Sequence, residues 1–307
     1  MSARPSLQVH RGEVLTRRQR VLRILGASLP GASWLVLFFA VPLLLIVAVS
    51  FLSRGEFGTV EKPWTFECYR RLAGFGLLGF DPVYPLILGR SLLLGLGTAL
   101  LCLLAGLPLS FFIAGLKPRG KTLALTLVVI PFWTNLLIRT YAWQILLAPE
   151  GWLARAAAAM GFIGAGEGLY PGAFAVYACM VCDYLPFMVL PLYASVEKLD
   201  WTLAEAAMDL GANRWKVFRH AVLPQIKPGL VAGGILVFLP ATGQFVIPDL
   251  LGGAKTAMLG NAIQQQFGPN LDWPFGSAIA VVSLAVVMIG LWLFARQAGG
   301  KQEIELL

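Results

Sequence analysis

Charged side chains are scarce in this sequence. They make up 13% of the 307 residues, while 58% are hydrophobic, and a soluble domain carries about 25% charged residues. This scarcity excludes an ordinary soluble fold and indicates that lipid surrounds most of the chain. Backbone polar groups in lipid must be satisfied within the protein, so the long apolar stretches are expected to be helices rather than strands.

Histidine and cysteine are too few and too scattered for metal or disulfide chemistry. The only histidines are His10 and His220, both in basic segments, and there are four cysteines. Cys179 and Cys182 form a CxxC, but within an apolar run and with no histidine nearby. We interpret cysteine here as a small apolar packing residue. We expect no metal site and no cofactor bound by this chain.

Catalytic signatures are also missing. The sequence contains no GxxxxGK(S/T) phosphate loop, no HExxH and no GxSxG, the patterns that place a nucleotide, a catalytic zinc ion or an activated serine. We therefore predict that the chain is not an enzyme and cannot hydrolyse a nucleotide by itself. If it does ATP-driven work, the ATPase is a separate chain.

Six apolar runs are each long enough to cross the hydrocarbon layer of a membrane, which is about 30 Å thick and needs about 20 helical residues. The third run is interrupted only by Arg139 and the fourth only by Asp183. In the fifth, Gly229 and Gly233 have the small-residue spacing that lets helices approach closely. The predicted fold class is an all-α membrane protein with six transmembrane helices within 29–296. The runs cover residues 24–53, 91–116, 122–149, 168–196, 228–248 and 273–295.

Lysine and arginine are distributed unevenly around these runs. With the N-terminus inside, the inner segments hold sixteen of them and the outer segments six. Cytoplasmic flanks carry the excess of basic residues, so both termini are predicted to be cytoplasmic, as a basic segment at 1–28, a loop at 197–227 and a tail at 297–307. This topology explains the net charge of +8. The sequence shows no basic stretch with interleaved aromatic residues, the pattern that would indicate nucleic-acid binding.

The 197–227 loop has the pattern of two short amphipathic helices. Apolar residues recur at helical spacing on both sides of Gly211, which is expected to end the first helix. Pro224 is expected to stop the second helix. The apolar positions are Leu203, Ala206, Ala207 and Leu210, then Trp215, Phe218 and Val222.

This loop also resembles a known motif, the EAA loop of the inner-membrane permeases of binding-protein-dependent ATP-driven importers. The motif residues are Glu205, Ala206, Ala207, Gly211, Leu223 and Pro224. The resemblance extends over most of the chain, from about residue 30 to 295, and is to the spermidine/putrescine permease subfamily. The stretches that carry it are 131–143, 184–193, 245–255 and 272–274.

The resemblance implies a type I ABC importer permease of MetI-like architecture in the bacterial cytoplasmic (inner) membrane. The implied partners are a homologous second permease subunit, a cytoplasmic ATPase dimer that uses ATP and Mg²⁺, and a periplasmic or extracellular solute-binding protein. The loop would then couple the permease to the ATPase. The implied coupling residues are Glu205, Ala206, Ala207, Gly211, Trp215, Phe218, Leu223 and Pro224.

Physical features of the loop fit that role. Ala206 and Ala207 keep the first helix thin, and Gly211 permits a sharp turn. Trp215 and Phe218 offer an apolar anchor of the kind that dominates interfaces. The alternative is an amphipathic helix that lies on the lipid surface.

Charged groups within spans are expensive and usually functional. Asp183 lies about halfway along the fourth run and needs a cation, which could be a cargo ammonium, Arg139 or a group on the partner permease. Arg139 lies towards the outer end of the third run and could pair or reach the interface. Asp183 favours a cationic cargo, whereas Arg139 would favour an anion if it faced the path.

Further candidates for the substrate path are aromatic or polar. Aromatic rings bind cations at about 0.5–2 kcal/mol each, although packing is the default for any single one. Gln244 stands where relatives often carry glutamate, which weakens the case for a cationic cargo. These candidates are Trp133, Asn135, Tyr141, Tyr184 and Gln244.

Polyamine import is the favoured function, and two alternatives remain. The same machinery could carry an aminophosphonate, an opine or an iron complex. A secondary transporter driven by an ion gradient would show inverted repeats and discontinuous helices, and no clear repeat is visible in the sequence.

Overall fold

A computed structural model of the protein describes residues 29–298, except 32, 56–57, 77–78, 165 and 254–257. The predicted segment 1–28 and most of the predicted tail at 297–307 lie outside the described residues. The chain divides into two units, the second of which begins at Val49. The first helix, α1 (Leu29–Val49), belongs to the first unit except for its last residue.

Helices dominate the second unit, with two small antiparallel hairpins near its start. The hairpins pair β1 (Ser53–Arg54) with β2 (Val60–Glu61) and β3 (Phe75–Gly76) with β4 (Gly79–Phe80). The helices are α2 (Glu67–Leu72), α3 (Val83–Ala114), α4 (Pro118–Val129), α5 (Leu136–Leu147), α6 (Trp152–Ala159), α7 (Ala173–Val196), α8 (Trp201–Asp209), α9 (Arg214–Gly243), α10 (Val246–Leu251), α11 (Leu259–Phe267) and α12 (Trp273–Ala298).

Within the described residues, five helices are long and apolar enough to cross a membrane, namely α1, α3, α7, α9 and α12. A sixth span results if α4 and the α5–α6 segment are counted as one bent span. The prediction of an all-helical, multi-span membrane protein is therefore confirmed. Several boundaries differ from the predicted runs; for example, α3 begins before residue 91 and α7 begins after residue 168.

The third predicted span is not one continuous helix. Helix α4 continues as a 3-10 turn at Ile130–Trp133, and α5 then leaves at an angle of 96°. Pro131 removes a backbone donor at this point. Asn135 caps α5, because its side-chain oxygen accepts the Leu137 N–H at 2.8 Å. The prediction of a single helix over 122–149 is wrong, since a proline and a capping asparagine together stabilise a break.

The fifth predicted span is also interrupted. Helix α9 ends at Gly243, and Gln244 and Phe245 separate it from α10. The Gln244 side-chain oxygen accepts the N–H groups of Phe245 and Val246 at 3.0 and 3.2 Å. The first donors of α10 are thus satisfied at the break. The predicted extension of this span to residue 248 is wrong because Gln244 provides a local cap.

Helix α7 is the centre of the second unit and packs along α3 and α9. Two glycines make the contact with α9 close. A Cβ at Gly229 would meet Ser195 and the Pro191 carbonyl, and one at Gly233 would meet Met188. The small-residue spacing predicted this close approach. The buried core around α7 includes Leu94, Cys102, Val176, Cys179, Met180, Leu192 and Val237.

An arginine joins the segment that precedes α3 to the segment that precedes α12. Arg71 of α2 donates to Asp272 at 2.9 Å, and its guanidinium lies 4.1 Å from the centroid of the Phe275 ring. Asp272 also accepts the Phe275 N–H at 3.2 Å. These contacts attach α2 to the beginning of α12.

Gly229→Ala is expected to destabilise the protein, because its methyl group would press on the Pro191 carbonyl where α7 and α9 cross. Overpacking costs about 1–3 kcal/mol, more than the gain of about 1 kcal/mol from replacing a helical glycine. Gly243→Ala is the matched control, since nothing lies within 4 Å of its added Cβ. Thermal unfolding in detergent should show a lower midpoint for Gly229→Ala only, and equal midpoints would contradict this account.

Candidate functional site

Helix α8 has well-defined ends. Its N-cap is Asp200, whose carboxylate accepts the Thr202 hydroxyl at 2.7 Å and the Thr202 N–H at 3.0 Å. These hydrogen bonds favour the ionised form and lower the pKa of Asp200. After Leu210 the chain turns at Gly211, which has a φ of +79°. The predicted glycine break is confirmed, because this left-handed conformation is one that other residues rarely adopt.

The predicted coupling residues present an exposed apolar surface. Leu203 of α8 is 51% exposed, Leu210 just after α8 is 89% exposed, and Trp215 of α9 is 67% exposed. Trp215 stacks on Phe218 with 5.9 Å between ring centroids. We call Leu203, Leu210 and Trp215 the coupling surface. Glu205, Ala206 and Pro224 are also exposed, whereas Ala207, Phe218 and Leu223 are partly buried.

Pro224 does not stop the second helix. The helix that begins at Arg214 widens into a π turn at Phe218–Val222 and continues through Pro224 to Gly243. Proline lacks an N–H and crowds the preceding turn, and here it stands in the first turn of the α-helical stretch that follows the π turn. The predicted loop helix and the fifth span are therefore one helix, α9.

A glutamine attaches the loop to α9. The Gln225 side-chain oxygen accepts the Asp200 N–H at 3.0 Å, and its Nε2 donates to the Asp200 carbonyl at 3.4 Å. Apolar side chains pack behind this contact, so the coupling surface is supported by a small core. That core contains Val196, Leu199, Val222 and Ile226.

An ion pair connects the ends of two helices near the loop. Lys121 of α4 donates to both carboxylate oxygens of Glu197 at 2.7 and 3.0 Å. The hydrogen bond from Lys121 lowers the pKa of Glu197. Sequence reasoning missed this pair and the Gln225 contact, because the partners lie 76 and 25 residues apart and share no local pattern.

A second ion pair lies within the membrane-spanning part. Asp183 of α7 is almost fully buried, and the Nε atom of Arg139 lies 2.5 Å from its Oδ1. Arg139 also donates through Nη1 to the Pro131 carbonyl at the α4–α5 break. Of the three cations considered for Asp183, the structure supplies Arg139.

Next to this pair, the second helix break also reaches α7. Gln244 donates to the Tyr184 hydroxyl at 3.1 Å. The α4–α5 break, through Arg139, and the α9–α10 break, through Gln244, therefore contact consecutive residues of α7. We call Asp183, Tyr184, Arg139 and Gln244 the polar cluster. Non-helical backbone at membrane depth is tolerated only where protein buries it or where it lines a water-filled cavity.

The remaining candidates for the substrate path stay outside the polar cluster. Trp133 is 81% exposed and Tyr141 is 50% exposed. Tyr141 is two residues from Arg139, which places it on the opposite side of a helix with 3.6 residues per turn. The side chain of Asn135 is used as the helix cap.

Comparison with known proteins identifies the family. A family model described as the inner membrane component of binding-protein-dependent transport systems matches residues 106–298. The chain belongs to this family. It is thus a permease of an ABC importer and a multi-pass protein of the inner membrane, and the predicted resemblance is confirmed.

The similar proteins include two spermidine/putrescine permeases and a molybdenum permease. The permease is 40% identical over 264 residues to the spermidine/putrescine transport system permease protein PotB of Haemophilus influenzae, covering 86% of this chain and 90% of the relative. It is also 40% identical over 275 residues to PotB of Escherichia coli, covering 89% and 98%. The molybdenum permease ModB of Escherichia coli is 30% identical over 69% of this chain and 96% of its own length.

Solved structures support the fold of the permease. A chain of a bacterial ABC transporter that imports alginate superimposes with a TM-score of 0.64 and 16% identity, covering 91% of this chain and 98% of that one. A chain from the same kind of transporter, in complex with an alginate-bound periplasmic protein, also gives 0.64, with 15% identity and coverage of 91% and 95%. At this identity, the likeness concerns the fold alone.

Asp200→Ala in the permease is expected to loosen the start of α8, because Thr202 loses its acceptor. Loss of an N-cap raises local opening about fivefold, which hydrogen–deuterium exchange of amides 201–204 can measure. Asp200→Asn keeps an acceptor but loses the charge, so its exchange should lie between that of Asp200→Ala and that of the wild type.

This effect should depend on pH. Because the pKa of Asp200 is lowered in the folded state, its contribution is present above the ordinary pKa of aspartate and is lost as the pH falls through the lowered value. The difference between Asp200→Ala and the wild type should therefore shrink on acidification. An unchanged difference would mean that ionisation of Asp200 does not stabilise the cap.

Proposed function

We propose that this permease is one subunit of an ATP-driven importer of polyamines. The observation that carries the cargo class is the 40% identity over 89% of the chain with the spermidine/putrescine permease protein of Escherichia coli. The polar cluster is compatible with this cargo, because the Asp183 carboxylate can bind an ammonium group through a charge-assisted hydrogen bond. Tyr184 adds a hydroxyl and an aromatic face beside it.

Membership of the family alone does not determine the cargo. The molybdenum permease in the same comparison is named for a different cargo, and its identity to this chain is 30%. An aminophosphonate, an opine or an iron complex would use the same machinery. Polyamines are favoured by the 40% identity to the spermidine/putrescine permease and by the buried carboxylate.

The coupling surface is proposed to dock on a cytoplasmic ATPase. It consists of exposed apolar side chains around the turn between α8 and α9, and such a patch indicates binding to another molecule. The basic flanks favour a cytoplasmic position for this segment. Helix α9 runs without a gap from Arg214 beside Trp215 to Gly243, next to Gln244. Movement of the ATPase would therefore reach the polar cluster through a single helix.

The remaining partners follow from this assignment. A second permease subunit would complete the path, since Trp133, Tyr141 and other apolar side chains are exposed on this chain. A periplasmic solute-binding protein would deliver the cargo, as in the alginate transporter whose complex with such a protein has been solved.

Uptake measurements test the cargo. The chain is reconstituted in proteoliposomes with its second permease and ATPase, and the loaded binding protein is supplied outside. ATP-dependent accumulation of radiolabelled spermidine or putrescine is expected, with an aminophosphonate, an opine, a ferric complex and molybdate as parallel cargoes. Uptake of one of those in place of polyamines would overturn the cargo assignment, and ATP-independent uptake driven by an ion gradient would overturn the ABC mechanism.

Gly211→Asp tests the coupling role. A side chain at a φ of +79° strains the turn between α8 and α9, so the coupling surface should be misplaced. Loss of such coupling lowers the linked activity by about 5- to 150-fold. We expect uptake to fall within that range while the amount of permease in the membrane is unchanged.

Gly161→Asp is the matched control. Gly161 has a φ of +78°, follows a short helix as Gly211 does, and also has nothing within 4 Å of an added Cβ. The same substitution therefore introduces the same strain at a site far from the coupling surface. Normal uptake by Gly211→Asp, or equal losses in both variants, would refute the coupling assignment.

A further inference from the structure

Arg139 occupies the place at Asp183 that a cationic cargo group would need. The two residues lie on different helices of the membrane-spanning part, with 2.5 Å between Nε and Oδ1. Asp183 is 3% exposed and Arg139 is 16% exposed. A buried carboxylate requires a neutralising partner. Arg139 now supplies it, so a cargo cation would compete with Arg139 for Asp183.

The Asp183 carboxylate keeps spare acceptor capacity. Nε of Arg139 lies against Oδ1, and within the described residues Oδ2 has no hydrogen-bond partner. Buried ionised groups are usually both paired and hydrogen-bonded. An ammonium group has three donors, so it could satisfy this carboxylate better than Arg139 does.

Arg139 has a second acceptor within reach. Its Nη1 donates to the Pro131 carbonyl at the α4–α5 break, and that carbonyl also accepts the Thr134 hydroxyl at 2.7 Å. If Arg139 leaves Asp183, its guanidinium keeps a partner at this break. The exchange would leave neither the carboxylate nor the guanidinium without a polar contact.

We propose that Arg139 is a displaceable stand-in for the cargo cation. In the resting permease its guanidinium neutralises Asp183, and during transport an ammonium group of the polyamine takes its place while Arg139 stays at the Pro131 carbonyl. The carboxylate stays neutralised throughout, and the displaced guanidinium is held by the polar Pro131 carbonyl rather than by a second carboxylate. The proposal rests on the proposed polyamine cargo. It makes Arg139 a specificity-determining residue, since a cargo without a cation cannot replace it.

The competing explanation is a pair that only holds α5 against α7. The two explanations predict opposite rankings of two variants. Arg139→Gln removes the stand-in but keeps the carboxylate that receives the cargo. Arg139→Gln combined with Asp183→Asn removes both charges and leaves two amides that can hydrogen-bond to each other. A purely structural pair is better replaced by two neutral groups than by a single buried charge.

The test measures polyamine uptake by the complete transporter in proteoliposomes, normalised to the amount of assembled complex. Assembly is measured by co-elution of all subunits in size-exclusion chromatography. Arg155→Gln is the matched control, because Arg155 is exposed on α6 and outside the polar cluster, so its uptake should equal that of the wild type.

We expect the double variant to assemble and to lose polyamine uptake by at least about tenfold, as loss of one charge-assisted contact implies. Arg139→Gln should retain more uptake than the double variant. Uptake by the double variant within about threefold of the wild type, or above that of Arg139→Gln, would overturn the proposal. If Arg139→Gln does not assemble, uptake by the double variant decides alone.

The same experiment separates this proposal from the cargo assignment. A wild-type transporter that takes up no polyamine contradicts the proposed function. If the wild-type transporter takes up polyamine and the double variant takes it up equally well, only the exchange of Arg139 for the cargo is contradicted.

Discussion

A break in a membrane helix frees backbone groups that lipid cannot satisfy, and the structure of this permease depends on how two such breaks are satisfied. At the first break, Asn135 caps α5 and Arg139 donates to the Pro131 carbonyl. At the second, Gln244 accepts two N–H groups of α10, and Asn261 donates to the Phe245 carbonyl at 3.2 Å. In both cases a polar side chain beside the break supplies the missing partner.

The same side chains that satisfy the breaks also build the polar cluster. Arg139 reaches from the first break to Asp183, and Gln244 reaches from the second to Tyr184. Non-helical backbone at membrane depth is tolerated only where protein or a water-filled path surrounds it. Because side chains at both breaks contact α7, its polar residues Asp183 and Tyr184 have polar partners in the middle of an apolar span. Close packing of α7 against Gly229 and Gly233 excludes lipid on that side.

Helix α9 links the two functional regions of the chain. It begins beside the coupling surface, passes α7 at its two glycines and ends at the second break. At 1.5 Å per residue its 30 residues span about 45 Å. The π turn at Phe218–Val222 lets Pro224 remain inside the helix, so the amphipathic loop segment and the span act as one body. The helix therefore stays continuous at a proline that the sequence pattern predicted would end it.

The sequence by itself determined the class of fold, the family and the exposed apolar loop, because these depend on composition, on helical periodicity and on a contiguous motif around Gly211. It also predicted the close helix contact, since the spacing of Gly229 and Gly233 is local. Only the tertiary structure decided that the third and fifth runs are broken, and that Arg139, among three possible cations, pairs with Asp183. It alone revealed the contacts of Gln225 and Lys121. The physical reason is that apolar runs look alike whether or not they are continuous, whereas the Gln225 hydrogen bond and the Lys121 ion pair join residues 25 and 76 positions apart.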